Sequence, residues 1–189
     1  MWDRDSRSPR TARIWTGVAA ITLLAFAASA EAQDAIARTP HVRGERAMQR
    51  LIDDAARRSP AIREWIDRLQ DLDVTVYVRG KAFARVDLEG RVALLSMAGA
   101  HRYLVIELAC NRSQLSQMAT LGHELFHAIE IAEEPSVVST STLADFYARI
   151  GVKTEDSGGI RTFETEAAAE AGLLARRQLL TSTRSGNGT

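Results

Sequence analysis

Between Asp73 and Ala109 the apolar residues alternate with a period of two, while on either side of that stretch they recur at intervals of three and four. This switch from helical to strand spacing and back confines the chain to an α+β fold, helices packed on a small sheet. DVTVYVRG, ARVDLEGRVALLSM and HRYLVIELA carry the strand texture, with turn points at Gly80, at Glu89-Gly90 and at Gly99. Their close spacing predicts hairpins, and hence a short, mostly antiparallel sheet of three or four strands.

Helices are predicted on both flanks. Met48, Leu51, Ile52 and Ala55 give helical spacing over residues 42–58, and Ser59 can cap a second helix with Pro60 in its first turn and Ile62, Trp65, Ile66 and Leu69 along one face. Ser113 can cap a helix that runs to about Glu133, where Pro135 helps to end it. A shorter helix follows at Thr142 to Ile150, then a Gly-rich loop at 156–159, then an alanine-rich helix over roughly 162–180. The tail TSTRSGNGT has the composition of a disordered end.

The first thirty residues have a separate logic. Arg4, Arg7, Arg10 and Arg13 precede IWTGVAAITLLAFAASA, a run from Ile14 to Ala30 without a charge, and small residues stand at cleavage points near Ala30 and Ala32. That order predicts a signal peptide over 1–30 and a periplasmic or secreted protein. A retained anchor is the alternative, and it is the one route to a membrane that the sequence offers. Residues 31–182 then form a single domain, with 183–189 as the disordered tail. At 46% hydrophobic the chain can bury one sizeable core.

Removal of the leader, with its four arginines against Asp3 and Asp5, leaves 20 basic against 22 acidic residues. No basic cluster or aromatic-basic interleaving remains beyond Arg13, which argues against a nucleic-acid partner. Cys110 is the single cysteine, so no internal disulfide can form. At the end of YLVIELAC it reads as a small buried hydrophobe.

The chemistry concentrates in LGHELFHAIE, residues 121–130. On an α-helix, positions four apart lie about 40° from each other on one face and one turn apart, so His123 and His127 can converge on one metal ion while Glu124 reaches a water held there as general base. Met118, Leu121, Leu125, Ala128, Ile129 and Ala132 form the apolar stripe of this helix, and both histidines fall nearly opposite its centre. They must face solvent or a second packed element. A hydrolytic zinc site takes three protein ligands and leaves one position to water, so a third ligand is required.

TFETEAAAEAGLLARR supplies the candidates. With this stretch as a helix, Glu164 shares a face with Ala167, Ala168, Ala171, Leu174 and Ala175, whereas Glu166 and Glu170 lie opposite, with Arg177. A carboxylate on an apolar face needs a compensating cation, which favours Glu164 over Glu166 as the ligand. Glu170 with Arg177 reads as surface charge.

HELFH followed by FETEAA resembles the gluzincin zinc metallopeptidases, in which H-E-x-x-H supplies two histidine ligands and a later glutamate the third. ETEAA is similar to the E-x-x-A-(D/N) pattern of the minimal gluzincins. The match covers two helices, about a quarter of the chain. It implies a small zincin-like domain with Zn2+ on His123, His127 and Glu164, with Glu124 as catalytic base and a peptide or protein as substrate. It also implies that the strand near HRYLVIELA is an edge to which an extended peptide could add. Ala168 stands where those families often carry aspartate or asparagine, so another group must orient a ligand histidine.

A hydrogen-bond donor to the oxyanion is also expected. Tyr147, Tyr103, Arg161 and His101 are possible, and the sequence does not rank them. Three readings follow: an exported zinc peptidase, a metal-stabilised binding or scaffold domain of the cell envelope without turnover, and a metal-free domain whose pentad is accidental.

Overall fold

The computed structural model describes residues 39–154 and 162–186. The chain divides into two compact units, Met1–Thr39 and Pro40–Thr189. Nearly all of the first unit, including the expected leader and its cleavage sites, lies outside the described residues, as does the Gly-rich loop at 156–159. No helix among the described residues is long and apolar enough to cross a membrane.

The second unit runs β1 (Val42–Gly44), α1 (Arg46–Arg58), α2 (Pro60–Gln70), β2 (Val74–Lys81), β3 (Gly90–Ala98), β4 (His101–Ala109), α3 (Gln114–Glu133), α4 (Thr140–Ile150), β5 (Val152–Thr154), β6 (Thr162–Glu164) and α5 (Glu166–Gly186). It is a mixed α+β fold, with five helices and a four-stranded sheet of order β1-β2-β4-β3 among the described residues. The helix starts follow the capping residues: Ser59 Oγ accepts from the Ile62 amide and Ser113 Oγ from the Ser116 amide. Ser139 forms a capping box with Thr142, which starts α4 at Thr140.

Several expectations need correction. The sheet is not mostly antiparallel: β1–β2 and β2–β4 are parallel, and only β3–β4 is antiparallel. A tight turn at Gly99, whose φ of 60° suits glycine, makes that one hairpin. The stretch from Ala84 to Leu88, read from the sequence as strand, belongs instead to the connection that carries the chain to the far edge, and β4 then inserts between β2 and β3. Residues 42–44, read as helix, form β1 with Val42 buried, since three residues are too few for a period to show. The last helix runs on through 181–186, which composition alone assigned to the tail.

Val74, Val76 and Val78 of β2 and Leu104, Ile106 and Leu108 of β4 turn one face of the sheet toward the helices. There they meet Ile62, Leu69, Met118, Leu121, Leu125, Ile129 and Leu179 in one core. Each such side chain contributes about 1.5–3 kcal/mol by leaving water. Helices α3 and α5 pack closely because Gly122 has no side chain: a β-carbon there would stand 2.7 Å from the Ala175 methyl. This contact places α5 alongside the histidine-bearing turns of α3.

On the opposite face of the sheet, Arg79, Glu107 and Arg91 lie in register across β2, β4 and β3. Glu107, with its side chain only 1% exposed, receives hydrogen bonds from Arg79, Lys81 and Arg91. Burial alone would raise its pKa, but the bonds from Lys81, Arg79 and Arg91 outweigh it and hold the carboxyl at about 2. Cys110, expected to be buried, is exposed, because β4 ends at Ala109 and the chain turns there.

Candidate metal centre

His123, Glu124 and His127 sit on the middle turns of α3, whose apolar stripe fixes the rotation of the helix. His123 faces α5, His127 faces Tyr147 of α4, and Glu124 faces the start of β3 at Gly90. Glu124 and His127 are each 5% exposed, and His123 is half-buried. The imidazoles converge, with ring centroids 4.8 Å apart. His123 packs against Gly172 of α5, where an added β-carbon would come within 3.2 Å of its Nδ1.

Glu164 completes the cluster. Its Oε2 lies 3.3 Å from His123 Nε2 and its Oε1 3.5 Å from His127 Nε2. One ligand atom from each of the three residues lies within 4.8 Å of the others. Ligands held about 2.0–2.1 Å from a tetrahedral zinc ion stand roughly 3.3–3.4 Å apart; the two carboxylate-to-imidazole spacings, each to a different oxygen, are close to that, and the set as a whole, spread over up to 4.8 Å, would have to draw together around an ion. Two neutral imidazole nitrogens and one carboxylate are also the donor set of a catalytic zinc site.

The route by which Glu164 arrives differs from the expectation. It is the last residue of β6, paired with Val152 of β5, and not a residue of the final helix. Helix α5 begins at Glu166, and Thr165 Oγ1 accepts the Ala168 amide at 3.1 Å as its cap. The helical-face argument therefore does not explain the position of Glu164; the strand and the cap do. Glu166 and Glu170 are exposed on α5, away from the cluster.

Glu130 is a further member that the sequence reading missed. Its Oε2 lies 2.8 Å from His127 Nδ1, and its Oε1 accepts the Thr165 hydroxyl at 2.7 Å. The Tyr147 hydroxyl donates to the same group from α4, contacting the His127 carbonyl at 3.2 Å and Glu130 Oε2 at 3.4 Å. One signal was available: Glu130 follows His127 by three positions, so the two share a helix face. Ala168, fully buried, contributes only a methyl.

Electrostatics follow from this crowding. Burial disfavours the charged form of His127, yet the bonds to Glu130 and Glu164 dominate and lift its pKa to about 9. For Glu164, burial works upward and the two imidazoles overcome it, leaving the carboxyl at about 2. Glu124 moves the other way: burial raises it, only partly opposed by His127 and His123. Positive charge is thus favoured between Glu164 and the imidazoles, whereas burial lifts the Glu124 carboxyl above the usual carboxylate range.

A cleft of about 860 Å³ opens over the cluster. Residues Gly90–Leu94 of β3 form one wall, Leu143, Ala144 and Tyr147 of α4 the other, and Phe163 borders the floor beside Glu164. β3 pairs with β4 along one edge only among the described residues. The expectation that HRYLVIELA is the free edge is therefore corrected, since β4 pairs on both sides. A smaller recess of about 330 Å³, bordered by Ser116, Thr120, Gly172 and Arg176, meets the cleft at Gly90, His123 and Glu124.

Of the four oxyanion candidates, Tyr147 sits behind His127, on its Nδ1 side. His101 bonds Thr75 and packs on Tyr103, and neither borders the cleft. Arg161 lies outside the described residues. Comparison with protein-family models, with curated proteins and with solved structures finds no match to this chain.

Proposed function

We propose that the protein is an exported zinc-dependent peptidase of gluzincin type, built on a zincin-like domain. The observation that carries the proposal is the meeting of His123 Nε2, His127 Nε2 and the Glu164 carboxylate beside the buried Glu124. His123, His127 and Glu164 would hold the ion. When bound, it supplies Lewis-acid polarisation of the scissile carbonyl and makes a water more acidic.

The chain's own groups do the rest. An extended peptide adds to the free edge of β3 through backbone hydrogen bonds, which lays its scissile amide along the cleft above Glu124. Glu124 takes the proton from the attacking water and hands it to the departing amine, a role that fits a carboxyl whose pKa burial has raised. Leu143, Val92, Leu94 and Phe163 keep bulk water from the reacting atoms.

Elemental analysis of the purified protein, combined with digestion of a broad peptide library by wild type and Glu124→Gln, tests this function. Bound zinc and cleavage by wild type alone are the expected results, and a wild-type protein that binds no divalent ion overturns the reading. One observation favours a second reading, a metal-stabilised scaffold without turnover: of the tyrosine and histidine candidates for the oxyanion donor, Tyr147 engages its hydroxyl at His127 Nδ1 and the His127 carbonyl, and His101 and Tyr103 do not border the cleft. Zinc at full occupancy with no cleavage at any pH would select that reading.

A further inference from the structure

We propose that Glu130 is a positioning residue that sets the geometry of the metal centre from behind, by gripping both elements that carry ligands. This rests on the reading of His123, His127 and Glu164 as a metal site. To ligate through Nε2, His127 must carry its proton on Nδ1, and a hydrogen-bond acceptor there fixes both the tautomer and the ring plane. Glu130 Oε2, at 2.8 Å, is that acceptor.

The other oxygen makes Glu130 more than a helix-surface neighbour of His127. Oε1 accepts the Thr165 hydroxyl at 2.7 Å, and Thr165 directly follows Glu164. Because the Thr165 oxygen also accepts the Ala168 amide, its single proton is committed to Glu130. One carboxylate thus ties the histidine ligand on α3 to the backbone that delivers the glutamate ligand from β6, across 35 positions of sequence.

Tyr147 closes the network from α4. Its hydroxyl lies 3.3 Å from His127 Nδ1, 3.2 Å from the His127 carbonyl and 3.4 Å from Glu130 Oε2. The Glu130 side chain is only 13% exposed, and a carboxylate so enclosed is costly unless its acceptor positions are filled. Nδ1–H of His127 and the Thr165 hydroxyl donate to it, and the Tyr147 hydroxyl shares its one proton between Glu130 Oε2 and the His127 carbonyl. Ala168 offers no polar atom that could substitute.

The test measures zinc affinity by competition with a chromophoric chelator at fixed pH, for wild type, Glu130→Ala, Glu130→Gln and Thr165→Val, with the melting temperature of each metal-free protein as control. Glu130→Ala is expected to bind zinc about 10–100-fold more weakly. Glu130→Gln, whose amide keeps an oxygen for Nδ1–H, should recover most of that loss. Thr165→Val should weaken binding by roughly 10-fold and add little to Glu130→Ala in the double variant. Cobalt substitution adds a spectroscopic signature, a shift in the visible bands of Glu130→Ala relative to wild type.

If Glu130→Ala and Thr165→Val both bind within twofold of wild type, the positioning role is wrong even if their metal-free forms melt earlier. Should Glu130→Ala fail to fold, Thr165→Val decides alone: binding about 10-fold weaker than wild type supports the role, and binding within twofold of wild type overturns it. A wild type that binds no divalent ion removes the metal site itself, and this proposal with it.

Discussion

Gly90 lies over Glu124: a β-carbon built on Gly90 would stand 2.9 Å from Glu124 Oε1 and 2.5 Å from Thr120 Cγ2. The first residue of β3 is therefore glycine for a reason of contact, since the buried carboxyl occupies the space a side chain would fill. Gly90→Ala should push Glu124 out of line and lower kcat/KM by about 10–100-fold, as an ångström of misplacement does elsewhere. Zinc content should stay at the wild-type level, because the atoms nearest the added methyl belong to Thr120 and Glu124 and not to the ligands; a variant with full activity would show that Glu124 has room to spare.

Glu124→Gln removes the proton acceptor and keeps the shape. Peptide hydrolysis should fall by about 10²–10⁴-fold with zinc stoichiometry unchanged. Steady-state cleavage assays beside elemental analysis check this, and activity within a few-fold of wild type would remove Glu124 from the reaction.

Glu164→Ala should lose zinc while the fold persists, since Glu164 belongs to a short surface strand and not to the core. Stabilisation of wild type by zinc at 100 times its Kd is about 2.7 kcal/mol. For a domain of this size that corresponds to roughly 5–10 °C in Tm. Differential scanning fluorimetry with and without chelator should show this shift for wild type and none for Glu164→Ala.

Glu107 gives the protein an acid dependence separate from the metal. Its folded pKa of about 2 lies below the ordinary carboxylate value, so its contribution is complete above about 4.5 and is lost as pH falls toward 2. Arg79 and Arg91 remain open to solvent, so Glu107→Gln should cost only about 1–2 kcal/mol at pH 7. Urea titrations of the chelated protein should find that gap closing between pH 4.5 and pH 2. A gap that persists at pH 2 would mean the cost lies in packing and not in charge.

Local signals reported local structure well. Ser59, Ser113 and Pro60 marked helix starts that the structure has, because a cap or a ring acts within one turn. His123, Glu124 and His127 were legible for the same reason, as one helix carries all three. Strand order was not, since the alternation in DVTVYVRG and HRYLVIELA says that each is a strand but not which strands are neighbours, and β4 slipped between β2 and β3. Glu164 was identified as the favoured ligand from a helix it does not belong to. Glu130 went unread because a lone glutamate on a helix resembles any solvated one until Thr165 and Tyr147 are seen to enclose it.

The two halves of the candidate centre come from very different distances along the chain. Both imidazoles are in place once a few turns of α3 have formed, whereas the carboxylate arrives only when β6 closes a long loop. Closing such a loop has an entropic cost that varies only slowly with its length. If the three residues hold an ion, two of its ligands are local to one helix and the third depends on the docking of β6, so the two-nitrogen half can exist without the complete site.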